Sequence, residues 1–519
     1  MHRRHAFAIA ATCAGVLVAA CSSNGSTAPA TLPTPATAPT TLIPQTTVAL
    51  STTTTVAELP ARPGAITVHL KKGPFDIQPG QNNIDTKAGI PQPDVNGWIV
   101  GIRPNLEYAD STVPPVDVVH LHHGVWLNTA AKDRTSPLPE RFFAAGEEKT
   151  AVALPAPYGY HYTTTDHWVL NYMLHNLTNE DKQVWVTYDI DIIPDAAPQA
   201  AGIISTHPVW MDVQNGSIYP VFDAVRGAGD GVTYTYPDRA SNPYGGGAKK
   251  NEWTVDRDGV LVYTAGHLHP GGLRTDLFAN RGTTSAHLFE SEAKYYEPAG
   301  AVSWDVAMTA TLPTWHVAVH KGDVLSTTAT YDSGLASWYE SMGIMIVWMA
   351  DSGAGDDPFT TTVDQPGLLT HGHLPENDHH GGQAGQTYKD LTQAPSEPVK
   401  GATIPIQDWI YGQGDMNLAT AVPTVKPGVT ITYDNLDSPI GKGQWHTITA
   451  CKAPCNKSTG IAYPLADGPV IFDSGELGTG GAPTANRTTW TIPADLPAGT
   501  YTYFCRIHPL MRGAFRVEP

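Results

Sequence analysis

From about residue 61 onward the chain is built of short runs in which apolar and polar positions alternate, with Gly, Pro, Asn and Asp between the runs. Val118 to Leu127, His167 to Leu177, Gln183 to Ile193 and Ala301 to Leu312 are examples. A period of two puts one set of side chains into a core and the other into water, as a half-buried strand requires. Apolar spacing of the helical kind is nowhere sustained over a helix length. The pattern predicts an all-β chain of packed sandwiches. Its punctuation divides it. Pro194-Asp195-Ala196-Ala197-Pro198 separates units at 61–197 and 198–351, and residues 352–400, rich in Gly, Pro, Asp and His, form a wrapping loop or linker. The last unit, 401–519, alternates again around the turns Lys426-Pro427-Gly428 and Pro497-Ala498-Gly499. Ile344 to Ala350 is apolar but too short to cross a bilayer.

The first 60 residues follow other rules. Arg3 and Arg4 precede a short apolar run, Ala6 to Ala20, which ends in Val18-Ala19-Ala20-Cys21. This resembles a bacterial lipoprotein signal over residues 1–21, which implies that Cys21 is lipidated and that the protein is anchored to the membrane of the cell envelope, outside the cytoplasm. Residues 22–60 are mostly Ser, Thr, Ala and Pro, too poor in core material to fold, and read as a disordered tether. With 31 Lys and Arg against 49 Asp and Glu, the net charge is −18, which excludes nucleic acid as a partner.

The 5 cysteines are Cys13, Cys21, Cys451, Cys455 and Cys505, so no disulfide framework holds the middle of the chain. Cys451 and Cys455, four residues apart, suit a small disulfide in an oxidising compartment. Cys505 stands in Tyr503-Phe504-Cys505-Arg506-Ile507-His508-Pro509-Leu510-Met511. A strand delivers the Cys, and a tight loop presents His508 and Met511. One thiolate, two imidazoles and a weak thioether are the donors of an electron-transfer copper, and His446, on an upstream strand, can supply the missing imidazole. This unit resembles the cupredoxins, and its loop is most similar to that of amicyanin. The resemblance implies a Greek-key β-sandwich with type 1 (blue) copper on His446, Cys505, His508 and Met511. Phe504 and Arg506 flank the Cys where multicopper oxidases carry histidines, which excludes that class and, on similar grounds, copper nitrite reductase.

Two further histidine groups are Val119-His120-Leu121-His122-His123-Gly124 and Gly266-His267-Leu268-His269-Pro270. Residues two apart share a face of a strand, so His267 and His269 can hold one ion. His122 and His123 point to opposite faces of a regular strand. They can serve one metal only where the strand ends or bulges, which Gly124 permits, and His120 is the alternative partner of His122. The order of an adjacent pair, a lone His175, an H-x-H pair and then Met342 resembles the ascorbate-dependent copper type II monooxygenases, the family of peptidylglycine α-hydroxylating and dopamine β-monooxygenases. Lys321-Gly322-Asp323-Val324-Leu325 adds to the likeness. The resemblance implies two jelly-roll sandwiches, each with one copper. His122, His123 and His175 would hold an electron-relay copper. His267, His269 and Met342 would hold the copper that activates oxygen and form the catalytic centre. The animal enzymes are rich in disulfides, whereas this region has no Cys, and their substrate-anchoring residues have no match here.

The expectation is therefore an envelope-anchored copper monooxygenase with a fused blue-copper domain. It would be served by an external electron donor and act on a small-molecule or peptide substrate. The competing expectation is a non-catalytic copper protein, either an electron carrier or a copper store, and a structural protein that has lost its metals is a third. His371, His373, His379 and His380 form another group in the linker, read as a solvated, weakly metal-binding loop. His161, His167, His207, His287, His316 and His320 follow no usable pattern, and nucleotide-loop, zinc-protease and Ser- or Cys-nucleophile motifs are absent from the sequence.

Overall fold

Why the alternating runs pair as they do is visible in the computed structural model. It describes residues 62–519 apart from 79–80, 83, 179, 215–219, 238–249, 297–300, 373–387, 413–420, 438–444, 457–469 and 480–486. Cys21, the segments expected at 1–21 and 22–60, and His373, His379 and His380 lie outside the described residues. Among the described residues every element is a strand except the 3-10 turns Pro198–Ala200 and Leu391–Gln393. The chain is all-β.

The first layer pair sets Ile66–Ile77, Lys182–Pro194, Gly97–Glu107 and Tyr158–Tyr162 against a four-stranded sheet. That sheet runs, in spatial order, Ile84–Ala88, Trp168–Asn176, Val119–Lys132 and Pro139–Gly146. Between them lies a core that includes Trp126, Phe142, Phe143, Trp168 and Tyr188. The alternation that predicted these strands is the alternation of buried and accessible positions, as in Lys182–Pro194, where Val184, Val186, Tyr188, Ile190 and Ile192 all face inward.

The second layer pair is formed by Ile204–Asp212, Ile344–Ala350 and Gly259–His267 on one side and by Gly272–Arg281, Thr284–Tyr295 and Val324–Asp332 on the other. Ile344–Ala350 is buried at every position, because it is a central strand between Ile204–Asp212 and Gly259–His267 and has cores on both faces. Its unbroken apolar run reflects that position. A short parallel pairing of Ile204 and Ser205 with Tyr158 and Gly159 joins the two layer pairs into one hydrogen-bonded network across the break read at 197/198.

The last layer pair sets Ser396–Pro398, Val422–Val425, Arg512–Val517, Gly499–Phe504 and Thr449–Cys451 against Ile410–Tyr411, Thr403–Gln407, Thr432–Asn435 and Thr489–Thr491. Cys451 and Cys455 are joined by a disulfide. Where it is described, the stretch 352–400 lies against the sandwiches. Leu368–Leu369 pairs with Val306–Ala310, and Ser396–Pro398 is already an edge strand of the last sandwich. Open sheet edges offer backbone donors and acceptors, and these segments take them up.

Candidate metal centres and the pocket between them

Gly499–Phe504 and Arg512–Val517 form the hairpin that presents Cys505 and His508, and His446 lies just before Thr449–Cys451. His446 Nδ1 is 3.1 Å from His508 Nδ1, and Cys505 Sγ is 3.9 Å and 3.7 Å from those two atoms. A metal about 2.0 Å from each nitrogen and about 2.3 Å from sulfur, in a trigonal plane, needs edges of about 3.5 and about 3.7 Å, so the triangle fits to about 0.4 Å. Backbone N–H groups of Thr447 and His508 donate to the sulfur at 3.3 and 3.4 Å. Met511 is buried and closes the loop. Its N–H donates to the His508 carbonyl at 2.8 Å, and its carbonyl accepts from Cys505 N–H at 3.1 Å. Burial alone would raise the Cys505 thiol, but the bonds and charges of His446 and His508 outweigh it and hold the thiol well below its ordinary value. Burial disfavours charge on His446, yet Asp437, 2.9 Å from its Nε2, and Cys505 raise it to about 9. A ready thiolate and buried imidazoles are what a soft redox ion requires. Asp437 and the ring of Trp409, 4.2 Å from that of His508, are parts of this site that the sequence did not mark.

The remaining histidines are not held in two distant groups. Val119–Lys132 bulges between Leu121 and His123, and His120 stands opposite His175 in register. The bulge turns consecutive histidines toward one place. Ring centroids lie 5.0 Å apart for His120 and His175, 5.9 Å for His122 and His175, 5.9 Å for His122 and His123, and 4.9 Å for His267 and His269. His122 and His269, expected on different metals, are only 4.0 Å apart. The six histidines form one continuous cluster, because the two sandwiches meet at the mouths of Val119–Lys132 and Gly259–His267. Met342 is buried beside it. Its backbone N–H donates to the Tyr331 hydroxyl, which donates to the Met342 carbonyl and accepts from His269 N–H.

Two carboxylates that sequence reasoning passed over organise the cluster. Glu147 and Glu148 follow the apolar strand Pro139–Gly146, where an acidic pair reads as a surface turn, yet both side chains are 0 % exposed. Glu147 reaches His269 Nδ1 at 3.0 Å and His122 Nδ1 at 3.3 Å, and Glu148 lies 3.0 Å from His267 Nδ1. Burial would raise Glu147, but its close approach to the His269 and His122 rings brings it well below the usual carboxylate range. Burial drives His120 down to about 4, His269 to about 3, and His123 and His175 well below the usual imidazole value. His267 is raised, since Glu148 outweighs its burial. Neutral imidazoles keep the lone pairs a metal uses.

The test of fit is where those lone pairs go. Nε2 of His120, His267 and His269, and both ring nitrogens of His175, are buried without a hydrogen-bonding partner among the described residues. An unmatched buried polar atom costs about 1–3 kcal/mol, and so many in one place suit bound metal. Val116 accepts from His120 Nδ1 at 2.7 Å, fixing the tautomer that leaves Nε2 free to coordinate. His371, read as part of a solvated loop, is half-buried, and its Nε2 donates to the Glu148 carbonyl at 2.8 Å.

The Cys505 set and the histidine cluster meet. The rings of His508 and His175 are 6.2 Å apart, and His508 is fully buried. Around this junction lies a solvent-open pocket with about 590 Å³ of empty space, walled by His122, His175, His269, Trp304, Trp338, Tyr339, Glu340 and, from the last sandwich, Glu476 and Arg506. Arg506 fastens that sandwich in place. It donates to the Ser337 carbonyl, lies 3.1 Å from Asp473 and packs over the Trp338 and Tyr339 rings at 5.6 and 5.1 Å.

No family model matches the chain, and no curated protein matches it. Among solved structures it has a likeness to a copper-containing nitrite reductase from Thermus scotoductus SA-01, with 16% identity over 50% of this chain and 55% of that one, at a TM-score of 0.15. A second, to the triple jelly-roll protein of an archaeal virus turret, has 11% identity over 56% of this chain and 60% of that one, also at 0.15. The chain thus spans little more than half the length of either protein, and neither likeness bears on the chemistry.

Proposed function

We propose that this protein is a copper-dependent monooxygenase of the bacterial cell envelope, held to the membrane through Cys21, with its own blue-copper electron-transfer domain. The observation that carries the reading is the ring contact of His508 with His175, 6.2 Å between centroids. Bound copper would supply one-electron transfer and reactivity toward oxygen. The chain does the rest. Cys505, His446, His508 and Met511 would hold the copper at which electrons enter, and the His508 ring lies against the His175 edge of the cluster. His122, His123 and His175 belong to the relay side, and His267, His269 and Met342 to the oxygen side. Glu147 and Glu148 fix the rings of His122, His269 and His267, and the pocket admits substrate. Hydroxylation takes one oxygen atom into a C–H bond and releases the other as water, which needs two electrons and two protons from an external donor.

A free electron carrier fits less well. The His508 edge through which a carrier would exchange electrons with a partner is buried against His175 and Trp409. The test is oxygen uptake by copper-loaded protein with a chemical reductant and candidate substrates. Turnover that is lost in His267→Ala and Met342→Ala supports the reading. No oxygen uptake, or uptake indifferent to both substitutions, contradicts it.

A further inference from the structure

His122 and His269 come from different sandwiches, yet they share one carboxylate. His122 lies in Val119–Lys132 and His269 just past Gly259–His267, while Glu147 follows Pro139–Gly146. One donor atom from each of the three lies within 4.8 Å of the others. Among the described residues no other group outside the blue-copper set draws three such donors so close. The Glu147 side chain is fully buried, and the ionic partners described for it are these two imidazoles, at 3.3 and 3.0 Å. A fully buried carboxylate wedged between imidazole rings from two sandwiches is a charge in want of a cation. A divalent ion answers that want, with the carboxylate and the two imidazoles as its ligands. Both histidines also wall the pocket, so the ion's remaining positions would face it.

We propose that a single first-row divalent ion is held jointly by His122, Glu147 and His269 across the seam between the first two sandwiches. Two imidazoles and one carboxylate with open positions make a donor set suited to oxygen chemistry. The proposal rests on the reading of the cluster as the metal-bearing centre, but it divides the ligands differently. His122 and His269 serve one ion, where the family resemblance gives them to two. His175, 5.9 Å from His122 and 6.2 Å from His508 by ring centroids, then stands between this ion and the blue-copper set.

The division is tested by counting. Wild type, His122→Ala, His269→Ala, the double variant and the nearly isosteric Glu147→Gln are loaded with Cu(II), desalted and assayed for metal per chain, with the intense thiolate absorption of the blue site reporting the fold. A shared site predicts that each single histidine variant loses the same one ion, that the double variant loses no more than either, and that Glu147→Gln loses that ion too. Loss of two ions in the double variant overturns the proposal, as does any single histidine variant that keeps the wild-type count. Where a histidine variant fails to fold, Glu147→Gln decides: a full metal count with an intact blue band overturns the shared site. Oxygen uptake by the wild type is measured separately, so the shared site can fail while the monooxygenase reading stands, and the reverse.

Discussion

Replacing Gly146 by Ala is the smallest change that reaches the middle of the cluster. An added Cβ would sit 2.6 Å from His267 Cε1 and 2.9 Å from Glu148 Oε2, and closer still to the His122 carbonyl. Ordinary contact begins near 3.4 Å, so the His267 ring must retreat by about 0.8 Å, and the backbone carbonyl has less room to give. Overpacking of this kind costs about 1–3 kcal/mol of stability. The larger effect falls on chemistry, since a displacement of about 1 Å in a reacting centre costs on the order of 100-fold in rate. The assay pairs thermal unfolding with oxygen uptake on copper-loaded protein, with Gly499→Ala as the control, because the nearest atom to a Cβ there is 3.9 Å away. The expected result is a modest loss of melting temperature, an unchanged blue band and turnover down about 100-fold. Full turnover in Gly146→Ala would refute the reasoning, since it would mean that the approach of His267 and Glu148 is not needed.

Two further outcomes follow from single carboxylates. Glu140 is buried, accepts from the Tyr160 hydroxyl at 2.6 Å and is raised by that burial from 4.5 to about 7. The folded state therefore holds a proton that the unfolded chain releases earlier, and wild type loses stability as pH rises from about 4.5 to about 7, by at most about 3 kcal/mol. Glu140→Gln removes that loss, so the variant should gain on wild type in thermal unfolding at pH 8 relative to pH 5, and identical pH dependence would contradict the assignment. Asp437→Asn takes a negative charge from behind His446 and should raise the reduction potential of the blue site in voltammetry; a lowered potential would contradict it.

What the sequence revealed depended on how far apart in the chain the interacting residues lie. Cys505, His508 and Met511 occupy one loop, so their spacing along the chain is nearly their arrangement in space, and His446 is the residue left to complete the set. The alternating runs gave the strands for the same local reason. The histidines of the middle sandwiches could be named as metal donors from their pairing, but not divided among ions, because nothing in the spacing of His122 or His269 says how two sandwiches abut. The bulge at His122 was foreseen only as a possibility attached to Gly124. Glu147 and Glu148 were invisible, since an acidic pair after an apolar strand is normally a solvated turn and only the meeting of two domains buries it. The partner of His371 was invisible for a related reason: its polar, Gly-rich surroundings suggest water, but the Glu148 carbonyl lies within its reach.

In the proposed function the last sandwich is a fixed electron input. Arg506, next to the thiolate ligand, binds the Ser337 carbonyl and Asp473 at once, so the residue that follows Cys505 also seats the domain on its neighbour. Seating of this kind sets the His508 ring 6.2 Å from that of His175.

The central claim is that an electron placed on the thiolate site passes within one chain to the histidine cluster. It is tested most directly by reducing fully oxidised, copper-loaded protein anaerobically by less than one electron per chain, in a rapid pulse. The absorption should bleach and then return in a first-order process that is independent of protein concentration, while the Cu(II) signal of the cluster falls. Bleaching that persists, or that recovers at a rate proportional to protein concentration, would contradict the account.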